Sequence, residues 1–134
     1  MNAEIETLYP AIGRAIIGVV GSAGGKILMY AEVEDGVVST QVFSPERGKI
    51  VYRFGGGELD DLVYDLWTKW TEVPGNQEWR AMVYLINENR KFSIDLIYPD
   101  KFNDKADVVA RRTAAAQSAL GALPIDYSQA QASR

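Results

Sequence analysis

Carboxylates are the side chains of this sequence best placed to do chemistry. Glu32, Glu34 and Asp35 fall within "AEVEDG" (31–36). Glu58, Asp60, Asp61, Asp65 and Glu72 fall within "ELDDLVYDLWTKWTE" (58–72), where Lys69 is the only base. Asp95 sits in the middle of "KFSIDLIYPD" (91–100). Two carboxylates can divide general acid and general base work when their surroundings hold their pKa values apart across a cleft. Acids along the outside of a helix lack such a cleft, and Asp95 has neither a second acid nor a metal-binding cluster beside it. The chain has no His and no Cys. Ser-His-Asp and Cys-His nucleophiles, thiol redox chemistry, the usual zinc ligand sets and disulfides are therefore excluded. The expectation is a protein that is not an enzyme and carries no cofactor or metal, with acids that serve recognition or solvation.

Each acidic group has a plain reading beside the functional one. The charged face of the 58–72 segment is either solvated or a docking surface for a basic partner. Glu58, Asp60 and Asp61 also suit the positive end of a helix dipole. The preceding "FGGGELDD" (54–61) lacks the Lys-Ser/Thr and the spaced glycines of a phosphate loop, so it reads as a strand-to-helix turn. Glu32 and Glu34 share a strand parity and hence a sheet face, with Asp35 in the turn. They mark either a hairpin tip that discourages edge pairing or a second contact patch. Asp95 alternates with Phe92, Ile94, Leu96 and Tyr98 and so points away from them, beside Lys91 and Ser93. Trp67 and Trp70 belong to an apolar helical stripe and read as core. Arg111 and Arg112 read as balancing Asp104, Asp107 or the helix end.

The elements that position these groups follow from periodicity. Ile5, Leu8, Ile12, Ile16 and Val19 form one stripe, which predicts a helix over 3–20 ended by "GSAGG" (21–25). Strands are predicted over 26–33, 37–43 and 49–54, joined by "EDG" and "SPERGK". Leu59, Leu62, Val63, Leu66, Trp67 and Trp70 give the clearest helical stripe, ended by "PGN" (74–76). "WRAMVYLI" (79–86) and "KFSIDLIY" (91–98) read as a hairpin around "NENR". A last helix is predicted over 103–121, capped by Asn103 or Asp104 and ended by Gly121. The order α-β-β-β-α-β-β-α implies one α+β domain over 1–134, with a frayed tail at about 128–134. Its antiparallel five-stranded sheet would carry helices on one side and leave an open, polar face that can receive a partner. The strands at 26–33 or 49–54 would offer an edge for a homodimer.

The totals agree with one folded domain: 134 residues, 47% hydrophobic, formal net charge −4 and a pI of about 4.8. No basic patch points to direct nucleic-acid binding. The apolar stretch at 15–25 is too short to span a bilayer, and Glu4 and Glu6 before it are unlike a secretory leader. The expected location is cytoplasmic, with no membrane partner.

"KILMYAEVEDG", "DDLVYDLWTKW" and "WRAMVYLINENRKFSIDLIYPDKF" together resemble the YezG-like family of bacterial immunity (antitoxin) proteins, over roughly residues 26–103. The resemblance implies an immunity protein that binds a cognate toxin domain, often a nuclease, and blocks it by occlusion. It makes Tyr30, Glu32, Asp95, Tyr98 and Asp100 the pattern positions, some of them fold-keeping. The sequence departs from the family at its end: an alanine-rich helix, "RRTAAAQSALG", stands where members commonly have an aromatic one with Trp. Type III secretion chaperones are also similar in size, acidity and element order, which implies the alternative of a chaperone for an extended effector segment.

Overall fold

The computed structural model describes residues 3–21 and 25–128. Three helices and six strands follow one another as α1 (Ala3–Val20), β1 (Ile27–Glu34), β2 (Val37–Glu46), β3 (Lys49–Phe54), α2 (Gly57–Glu72), β4 (Ala81–Ile86), β5 (Phe92–Ile97), α3 (Val108–Leu120) and β6 (Ile125–Asp126). They form an α+β domain. The sheet order is β5-β4-β1-β2-β3-β6, antiparallel except for the parallel β3–β6 pair. The sixth strand, which the pattern does not announce, pairs Ile125 and Asp126 with Ile50 and Val51. Lys49 Nζ fastens it to Asp126 Oδ2 at 2.6 Å.

β1 is bonded to β2 on one side and β4 on the other, so it offers no edge for a dimer. β3 is covered over Ile50 and Val51 by β6. The outer strand at the other end of the sheet is β5. Both dimer edges expected from the sequence are thus wrong in whole or part. The meander supplied β1's first neighbour, but the hairpin arriving after α2 took the other side.

α1 and α2 lie on one face of the sheet. Ile12 and Ile16 of α1 and Leu59, Val63 and Leu66 of α2 pack against Met29, Val42, Met82 and Tyr84. The opposite face is not open, as the sequence reading had it. Leu28, Tyr30, Phe43, Ile50 and Tyr52 point that way and are buried with Ala116 of α3 and Phe102. β1 is apolar on both parities over Ile27–Ala31, which is the pattern of a strand covered on both faces. Two helices on one side and one on the other give three layers.

The local chemistry explains most boundaries. Gly21 closes α1 with a positive φ of 87° and an N–H donated to Ile17 O at 2.8 Å; Ser22, Ala23 and Gly24 of the expected stop lie outside the described residues. Pro10 sits inside α1 and supplies no N–H to the turn before it. Next to it the Tyr84 hydroxyl donates to Tyr9 O at 2.7 Å, fixing the helix to β4. Gly13 faces that hydroxyl so closely that a Cβ there would lie 2.6 Å from it. α3 starts five residues later than expected. Asp107, not Asn103 or Asp104, is its cap, with Oδ1 accepting the Ala110 N–H at 2.8 Å. Asn103 instead accepts from the Lys105 N–H in a turn of its own. Of the tail expected to fray, only Ser128 is described, and its N–H bonds Asp126 Oδ1. Among the described residues no helix is long and apolar enough to cross a membrane.

Candidate partner interface

The β1–β2 turn is built by two residues in the left-handed region, Asp35 (φ 52°) and Gly36 (φ 75°). That pair matches the twist of a two-residue hairpin and leaves Glu34 and Asp35 projecting into solvent. Beside the turn is a cleft of about 320 Å³, lined by Glu34, Asp35, Glu78, Trp67, Trp79 and Arg80 among others. The tryptophans hold its wall. Trp67 Nε1 donates to Trp79 O at 3.2 Å and Trp70 Nε1 to Gln77 O at 2.8 Å, so α2 grips the segment before β4. Trp79 is buried, whereas Trp67 and Trp70 are half-buried against the core. Arg80 is committed to the fold: Nε donates to Val33 O at 3.1 Å and its guanidinium lies 4.2 Å from the Phe102 ring centroid. Glu78 joins this acidic cleft although no motif or period singles it out. Asp100 follows Pro99, another lining residue.

Two of the sequence-predicted acids are not available for a partner. Glu32 is clamped by Arg111 through two charge-assisted bonds, Nε to Oε2 at 2.6 Å and Nη2 to Oε1 at 2.9 Å. The Tyr30 hydroxyl also donates to Oε2 at 2.7 Å. Arg111 further donates to the carbonyls of Asn103 and Ala106 and lies 4.5 Å from the Phe102 centroid. Burial, then the bond to Glu32, pushes the Tyr30 phenol well above its ordinary range. The bond to Glu32 raises Arg111 as well. Arg111 therefore pairs with neither Asp104 nor Asp107 but ties α3 to β1. Asp60 likewise turns inward and accepts from the Thr40 hydroxyl at the start of α2.

The others stay outside. Glu34, Asp35, Glu58, Asp61, Asp65, Asp95 and Asp100 are all exposed. None of them makes an ion pair among the described residues, where the pairs are Lys49–Asp126, Arg53–Glu46, Lys69–Glu4 and Arg111–Glu32. Lys69, the base of α2, reaches across to Glu4 of α1 at 3.2 Å and not to an acid of its own helix. The acids do not form one patch. Asp95 lies on the α3 side of the sheet, opposite Val83 and beyond the cover of that helix, while α2 is on the other side. Among the described residues no group of three or more acids is arranged to hold a metal ion. What the arrangement offers is a dispersed negative field with one aromatic-walled cleft.

No protein-family model matches the chain, and no curated protein matches it in sequence.

Proposed function

We propose that the protein is an immunity protein that neutralises a cognate toxin by stoichiometric binding, the toxin being a nuclease with a basic face. The observation that carries this reading is the set of seven acids named above, exposed and without ion pairs among the described residues. A nuclease must present positive charge to phosphate. Opposite fields accelerate encounter, and like fields suppress wrong partners. The resemblance over residues 26–103 supports the same reading. The cleft at Glu34, Asp35 and Glu78 and the outer face of α2 at Glu58, Asp61 and Asp65 are the surfaces assigned to contact. Glu32 and Asp60 are assigned to the fold instead. On this reading the protein acts in the cytoplasm, without cofactor, metal or direct contact to nucleic acid.

The test is co-expression with candidate nuclease toxin domains, that of any adjacent gene first, scoring growth and complex formation together. Rescue of growth with a stable one-to-one complex is the expected result. A complex formed with an extended leader segment, and no toxicity to rescue, would replace this function with that of a secretion chaperone.

A further inference from the structure

A second concavity lies on the α3 side of the sheet, the side that also carries Asp95, and none of the acids lines it. It is an open pocket of about 470 Å³ along the flank of α3, within the size range of small-molecule sites. Its floor is Tyr30, Val83 and Ile97. Its helical wall is Ala110, Ala114 and Ala115, continued by Ala106 before the helix. All four side chains end at Cβ, and Ala110 and Ala114 remain exposed. The lining contains two cations, Lys101 and Arg111, and no carboxylate, in a chain of formal net charge −4. Arg111 is neutralised from behind by Glu32. Lys101 is exposed, with no ion pair among the described residues, and Asn103 stands beside it in the lining.

We infer that this pocket binds a small amphipathic carboxylate, its apolar body lying between the α3 alanines and Val83 and Ile97, its anionic head at Lys101. The apolar walls provide burial, and Lys101, exposed and without an ion pair among the described residues, selects sign. The inference does not depend on the immunity reading, since none of the acids assigned to contact lines the pocket.

The test is a titration of the full chain with decanoate, followed by amide chemical shifts, with decanol and decylamine as matched neutral and cationic probes. Saturable one-to-one binding is expected, with shifts centred on Tyr30, Ile97 and 110–115, and with decanoate preferred to decylamine. Lys101→Glu should weaken decanoate roughly twofold to fivefold, the range of one exposed charge pair, and leave decanol unchanged. Ala114→Leu should weaken binding of all three alike by taking up part of the space. If that variant fails to fold, Lys101→Glu, an exposed change, still decides. No saturable shift, shifts elsewhere, or equal binding of decanoate and decylamine would overturn the inference. So would a pocket that ignores decanoate but is shielded in a complex with a toxin domain, which would make it a seat for a partner's apolar side chain.

Discussion

Truncating Arg111 to Ala is the sharpest test of how α3 is held. The change deletes both bonds to Glu32, at 2.6 and 2.9 Å, and the donors to Asn103 and Ala106. It also deletes the guanidinium over Phe102. What remains is the Glu32 carboxylate, whose side chain is only 11% exposed, with the Tyr30 hydroxyl as its one donor. Removing one partner of a buried pair costs about 3–5 kcal/mol. This pair is partly wetted, so the lower end, about 3 kcal/mol, is the expected loss. Urea unfolding by linear extrapolation reads it directly. Glu32→Gln should also destabilise, because it leaves the Arg111 charge without its counterpart. The double variant should lose clearly less than the sum, since each single change already breaks the same interaction. A loss below about 1 kcal/mol for Arg111→Ala, or additive losses in the double variant, would refute the clamp and return Arg111 to the class of surface cations.

Three further outcomes are expected. Gly55→Ala should destabilise by about 3 kcal/mol, combining overpacking with loss of a charged hydrogen bond. An added Cβ would lie 2.7 Å from Thr40 Cβ and 3.0 Å from Leu59 Cδ2 and would push the Thr40 hydroxyl off Asp60; an unchanged urea midpoint would contradict this. Stability should fall as pH rises above 10, because burial raises the phenols of Tyr9, Tyr30, Tyr52 and Tyr84 from their ordinary value of 10.0, Tyr84 to about 12. A raised folded-state pKa gives stability that is complete below the unfolded value and is lost as pH passes the folded one, so urea midpoints flat beyond pH 10 would be the contrary result. Lys49→Ala should release β6 from β3, read as faster exchange of the Ile50 amide, which donates to Pro124 O at 2.8 Å, with little change in global stability, since the pair is surface-exposed. An unchanged exchange rate at Ile50 would show that the ion pair does not hold the strand.

The sequence carried its own elements well and their mutual placement poorly. The α1 stripe from Ile5 to Val19 runs over the helix observed, and β3 has the bounds read from "KIVYRF". Such signals are local and repeat several times. β6 has two residues and exists only because β3 is there to pair with it, so no period could reveal it. The missed start of α3 has a similar cause: Asn103, Asp104 and Asp107 are all able to cap, and the choice fell to the turn around Phe102 and Asn103. Among the acids, Glu32 and Glu34 look alike by parity. They differ because Arg111, 79 positions away, reaches one and not the other. Asp60 and Asp61 are adjacent, yet the first faces Thr40 across the β3–α2 turn and the second faces water. Glu78 had no pattern to announce it. Only the fold brings the segment before β4 against the β1–β2 turn.

On the proposed function, the exposed acids, in no ion pair among the described residues, recognise a basic partner. The rate of association with the purified toxin domain identified by co-expression, measured as a function of salt for the native chain and for Asp61→Lys/Asp65→Lys and Glu34→Lys/Asp35→Lys, tests this recognition. These side chains are exposed and, among the described residues, in no ion pair, so the variants should remain folded; Lys at position 35 must take the left-handed backbone of the turn, so the urea midpoint of that variant is measured alongside. Fast, salt-sensitive association is expected for the native chain, and charge reversal should reduce the rate about tenfold or more at low salt, with the difference shrinking as salt screens the field. Equal rates for all three proteins across the salt range would contradict it.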